Sequence, residues 1–177
     1  MMWMALTLTG SLGGAVATKL GLRLGAGDHL GARQGVIVGL TVACGVLVLI
    51  SLLVIAIPEE LAKIFTEDSK LIETFAGCRY EFAAALFTMN FAVVCERVPF
   101  GMGRARAVLV AGGLGSWAGQ VPAVLLAVNF WQRSLKAVYA GVAAGYCLLI
   151  VLLLGIIATT DWKRQALEAR ARSEASG

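Results

Sequence analysis

A carboxylate, amide or phenol set inside an apolar helix is the kind of group that can bind a cation or hold a proton within a membrane. This chain has a handful of them. Asn90 sits in the apolar run 82–95, where its amide can line a cavity and hydrogen-bond a substrate, or bond a neighbouring helix. Glu96 and Arg97 follow it, as a gating pair or as an interfacial pair whose charges reach out to the headgroups. Gln120 and Trp117 lie near Pro122 and can edge the same cavity, while Trp117 also suits plain helix packing. Tyr146 has the same two roles open. Glu81 stands near a helix mouth, where it either collects cations or is simply solvated.

Other chemistries lack their patterns. There is no Ser/His/Asp set, no phosphate loop of the Gly-x-x-x-x-Gly-Lys-Ser type, and no spaced His, Cys and Glu ligands. An enzyme, a metal and a cofactor are therefore not expected. Segment 24–27, Leu-Gly-Ala-Gly, links two apolar stretches and reads as a turn. His29, the only histidine, falls in a loop and reads as solvated. Cys44, Cys78, Cys95 and Cys147 read as small apolar packing residues. No basic stripe with interleaved aromatics exists, so nucleic acid is not an expected partner.

The elements that must hold these residues are set by hydrophobicity. The chain of 177 residues is 59% hydrophobic and 15% charged, against about 25% charged in soluble domains. Stretches 35–57, 107–131 and 137–160 carry no Asp, Glu, Lys, Arg or His. At about 1.5 Å per residue each reaches the ~30 Å of a hydrocarbon core. Stretch 1–18 is also uncharged, begins without a charged n-region and lacks a convincing cleavage site, so it is not read as a signal peptide. The run around Asn90 spans only if it takes in 79–101 and leaves Glu96 and Arg97 near an interface. The expected fold class is thus all-α, a polytopic membrane bundle of about five transmembrane helices at 1–21, 35–57, 79–101, 107–130 and 137–159. Residues 1–160 form the bundle. Segment 59–75 reads as a short interfacial piece with Leu61, Ile64 and Phe65 on one face. Residues 161–177 form a charged amphipathic tail that frays at its Ser-Glu-Ala-Ser-Gly end.

Lys and Arg give a direction. One side holds Lys19, Arg23, Arg33, Arg97, Arg104, Arg106, Lys163, Arg164, Arg170 and Arg172. The other holds Lys63, Lys70, Arg79, Arg133 and Lys136, diluted by six acids. That bias puts the C-terminus in the cytoplasm and the N-terminus outside or in a lumen. An odd number of spans that starts inside an apolar helix implies a helix upstream. Gly10/Gly14, Gly21/Gly25, Gly115/Gly119 and Gly141/Gly145 recur at four-residue spacing, which marks close helix packing in lipid.

Several segments resemble a known family. The stretch 11–33, with its Leu-Gly-Ala-Gly turn and Gly-Ala-Arg opening the next helix, is similar to the end of helix eight and its loop in multidrug and toxic compound extrusion (MATE) transporters. Leu61-Ala-Lys-Ile-Phe-Thr-Glu-Asp68 resembles the family's amphipathic connector. Gly101-Met-Gly103 with Arg104 and Arg106, Pro122, and Thr160-Asp-Trp-Lys-Arg164 resemble its later landmarks, in family order and in a eukaryotic-type version. The resemblance implies that the five spans are helices eight to twelve, the C-terminal lobe, with helix seven and the N-terminal half absent. It implies secondary active transport: organic cations or xenobiotics leave by antiport with H+ or Na+, in a cavity shared with an N-terminal lobe or another subunit. The chain departs from the family pattern at Met89, where many eukaryotic members carry an acid, at Phe100 in place of a basic residue, and at Leu22 in place of Asn. Those departures motivate a second reading, a transport-incompetent structural or partner-binding membrane protein. An unrelated small-residue-rich transporter is a third.

Overall fold

The computed structural model describes residues 2–130 and 134–175. The described residues are helical between short links. Helix α1 covers Met2–Gly25, α2 His29–Ala56, α3 Pro58–Lys63, α4 Ser69–Gly77 and α5 Arg79–Gly101. Next come α6 (Ala105–Gly113), a π-helical turn (Leu114–Gln120), α7 (Val121–Phe130), α8 (Leu135–Ala158) and α9 (Trp162–Ala175). Arg133, counted above among the basic residues of one side, lies outside the described residues, as do the last two residues of the tail.

Among the described residues, four helical stretches are long and apolar enough to cross a membrane: α2, α5, the α6–π–α7 unit from Ala105 to Asn129, and α8. The fifth expected span, α1, is a 24-residue helix that runs one turn past the sequence boundary and takes in Lys19 and Arg23.

Helix α5 is the spine of the bundle. Three apolar clusters stack along it, and each contains α5 residues. Phe82, Ala83 and Leu86 meet Leu47 and Val54 of α2, with Tyr139 of α8 against them. Ala92 and Cys95 meet Ala111, Leu149 and Leu153. Val98 and Met102 meet Leu20, Leu24, Ala32, Val36 and Ala166. The pairings give the directions: α1 runs parallel to α5, with Gly13 against Val94 and Gly101 against Ala17. Helix α2 runs antiparallel to α1, with Gly39 against Val16.

Links are made by residues suited to them. Gly27 (φ +81°) turns the chain between α1 and α2, a backbone conformation only glycine adopts freely. Asp28 then caps α2 through the Gly31 amide at 2.8 Å. Pro58 opens α3 at its first turn, where its missing N–H is harmless. The expected interfacial piece is two helices, because Asp68 caps a new one through the Lys70 amide. Ile64 and Phe65 remain exposed in the link between them, while Leu61 is half-buried.

One feature departs from the sequence expectation. The fourth span is not a continuous α-helix. Val121 N–H bonds the Ser116 carbonyl, five residues back, immediately before Pro122, which has no N–H of its own to offer. The widened turn absorbs that loss, as π-bulges do. The charged tail packs on the bundle. Helix α9 buries Gln165 and Ala166 and packs on the ends of α1, α2 and α5. Arg172 donates to the Met102 carbonyl at 3.2 Å, and Arg104 donates to Thr160 Oγ1 at 3.2 Å.

Candidate functional site

Several polar groups of the spanning helices lie along α5. Asn90 is fully buried. Its Nδ2 donates to the Leu86 carbonyl at 2.8 Å, one turn back in its own helix. Its Oδ1 accepts from Thr9 Oγ1 of α1 at 2.9 Å. Both ends of the amide are therefore engaged, and the bond to Thr9 ties α1 to the spine. Thr88, two residues earlier, returns its hydroxyl to the Ala84 carbonyl at 2.8 Å. Met89 is half-buried beside them.

Glu96 is half-buried about two turns further along α5, and Arg97 is exposed. The two feel each other's charge but form no ion pair at contact distance among the described residues. The Arg97 stem instead lies over Gly13, where a Cβ would meet its Cγ at 2.8 Å. Tyr146 of α8 is half-buried and packs on the cluster of Ala92, Cys95, Ala111, Leu149 and Leu153. The structure thus brings Tyr146 of α8 to the α5 turn that precedes Glu96, which sequence spacing alone does not reveal.

Gln120 is half-buried and Trp117 is 78% exposed on the outside of the π turn. They do not share a surface with Asn90. Gln120 closes instead on α8: a Cβ at Gly145 would lie 2.3 Å from Gln120 Cα, and one at Gly141 would lie 2.5 Å from Val124 Cα. Gly115 and Gly119 meet Leu149 and Leu148 in the same way. The two glycine pairs face one another across an antiparallel contact between α8 and the π–α7 unit. Gly10 and Gly14, by contrast, have nothing within 4 Å of an added Cβ among the described residues.

At the other end of α5, Glu81 is half-buried and its Oε2 accepts no hydrogen bond among the described residues. Burial pushes the neighbouring Cys78 thiol up from its ordinary range, Glu81 adds to that shift, and Lys136 opposes it. Close by, Phe75, Phe82 and Tyr139 pack edge to face at 5.0 and 5.2 Å between ring centroids. These rings, with Phe65, Leu71 and Leu135, line an apolar cavity of about 400 Å³. Sequence spacing missed this aromatic site, because its members come from four separate elements. His29 is half-buried at the start of α2, and no group of three His, Cys, Asp or Glu residues among the described residues could hold a metal.

The bundle joins a polar group buried in α5, glycine-faced helix contacts and an amphipathic connector, and it can be compared with known proteins. The MatE family model matches residues 1–125. Protein DETOXIFICATION 14 of Arabidopsis thaliana is 24% identical over 163 residues, which is 92% of this chain and 33% of that protein. Protein DETOXIFICATION 10 of the same plant is 28% identical over 166 residues, with the same two shares. The chain spans about a third of the length of the curated relatives it matches. In fold, it is similar to the crystal structure of the eukaryotic MATE transporter AtDTX14, with a TM-score of 0.88, 21% identity, and coverage of 97% of this chain and 38% of that one. An integral, multi-pass membrane bundle, it belongs to the MatE family.

Proposed function

We propose that the chain is the C-terminal lobe of a secondary active transporter that moves organic cations or xenobiotics outward in exchange for H+ or Na+. The observation that carries this reading is the family match over residues 1–125, joined to a carboxylate, Glu96, held half-buried within α5 next to Cys95, on whose cluster Tyr146 packs. A carboxylate in such a setting attracts a cation when ionised and releases it when protonated. Glu96 and Tyr146 are assigned to the substrate or ion path. Glu81, with an oxygen free of hydrogen bonds and the Phe82 and Tyr139 rings nearby, is assigned to cation capture at the outer mouth. Gln120 and Trp117 edge the α7 side, and Asn90 braces the spine. A second lobe, from an N-terminal segment or another subunit, completes the cavity. The C-terminus is cytoplasmic and the N-terminus outside or lumenal, on the Lys and Arg bias.

The test is efflux of a fluorescent organic cation from vesicles with an imposed proton or sodium gradient, the chain being co-expressed with its N-terminal lobe. Gradient-dependent efflux that Glu96→Gln abolishes, with insertion intact, is the expected result. Equal efflux by Glu96→Gln removes Glu96 from the path.

A second reading, a structural or partner-binding membrane protein without transport, is favoured by the Asn90 geometry. The amide is consumed by Thr9 and Leu86, and the acid of many eukaryotic members is replaced by Met89. A well-inserted assembly with no gradient-dependent efflux supports this second reading.

A further inference from the structure

We propose that the groove between α1 and α2 binds one anionic phospholipid, its phosphate against Lys19 and Arg23 and an acyl chain along the helices. A cavity of about 400 Å³ opens there. One end is apolar, lined by Leu12, Val38 and Val42; the other carries Lys19, Arg23 and Gln34. Lys19 and Arg23 are four residues apart, so they share a face of α1, and both are exposed. The Arg23 guanidinium is steadied by the Gly31 carbonyl through one N–H, which leaves its other donors available. Asp28 lies beside Arg23 across Gly31 and caps α2. With its charge counted, the two cations still leave the mouth positive.

Length and charge together select the occupant. From Leu12 to Arg23 the helix rises about 16 Å, about half of a ~30 Å hydrocarbon core. The groove therefore runs through one leaflet, apolar towards the membrane centre and cationic at headgroup level. That gradient matches a single lipid. Free phosphate has no use for the apolar wall. A partner helix filling the groove would strip water from Lys19 and Arg23, whereas a lipid headgroup leaves both in contact with it. A basic pocket between membrane helices is also the setting in which anionic headgroups are retained.

The test uses the full chain in phosphatidylcholine vesicles containing spin-labelled phosphatidylglycerol or phosphatidylcholine, reading the motionally restricted fraction. The expected result is a preference for phosphatidylglycerol that falls about fivefold in Lys19→Gln and again in Arg23→Gln. Lys19→Arg keeps the preference, which separates lost charge from lost fold. Arg33→Gln, one charge removed outside the groove, leaves it unchanged. Ala15→Trp, which fills the groove, lowers the restricted fraction for both lipids. The proposal is overturned if Arg33→Gln weakens selectivity as much as Lys19→Gln, if neither lipid is preferred, or if inorganic phosphate displaces the labelled phosphatidylglycerol.

Discussion

Thr9 and Asn90 are 81 residues apart in sequence and joined by a 2.9 Å hydrogen bond in the interior of the bundle. In lipid such interhelical bonds contribute about 0.6 to 2 kcal/mol each. Thr9→Val should destabilise the bundle, and so should Asn90→Leu, since each leaves a buried polar group with one partner fewer. The double variant should lose less than the sum of the two. Reversible unfolding in bicelles measures the cycle; strict additivity would show that the bond contributes nothing.

Glycines on opposite sides of the bundle should answer differently to the same change. Gly145→Ala places a carbon against the Gln120 backbone, which cannot turn aside as a side chain can, and overpacking of that kind costs about 1–3 kcal/mol. Gly10→Ala meets nothing and should gain up to about 1 kcal/mol from helix propensity. Thermal melts of the two variants in detergent give opposite shifts. A melt of Gly145→Ala at or above the parent would mean that the π turn packs on α8 more loosely than these distances require.

Gly103 adopts φ +78°, and a Cβ there would meet the Arg172 guanidinium as well as the strain of that conformation. Gly27 has a similar φ with open space around it. Gly27→Ala should cost about 1 kcal/mol, the backbone term alone. Gly103→Ala should cost more, and the excess should vanish in an Arg172→Ala background. Hydrogen exchange checks the same contact independently, since Arg172→Ala should speed exchange in α9 and leave α5 protected.

Asp28→Ala should lower stability by about 1 kcal/mol through loss of the α2 cap. Asp28→Asn, which keeps an acceptor for the Gly31 amide, should recover most of it. Circular dichroism during chemical unfolding compares the three proteins. Equal stability of Ala and Asn variants would remove the cap from the account.

Most of the helical frame was legible in the chain because charge-free runs have one physical explanation at that length. Helix α5 covers Arg79–Gly101 and α8 Leu135–Ala158, while α2 begins at His29, six residues before its charge-free run, because Asp28 caps it there. The site was less legible. Asn90 reads identically in sequence whether it faces a substrate or Thr9, since the choice depends on which residue of α1 arrives opposite it. The meeting of Tyr146 with the Ala92–Cys95 turn, and of Tyr139 with Phe82, is a product of α8 crossing α5, and no local spacing encodes it. Pro122 was visible, but its consequence was not: the wide turn forms upstream of the proline, among residues whose composition suits an ordinary helix.

That wide turn stores one residue more than a straight helix would hold. Everything after Gln120 is consequently rotated by about 100° relative to the frame of α6, the angular step of a single helical residue. Losing one residue between Leu114 and Gln120 would swing α7 round its axis, carry Val124 away from Gly141, and offer α8 a different side of the helix. The turn is a phase adjuster: it sets which side of α7 looks inward independently of how α6 is seated.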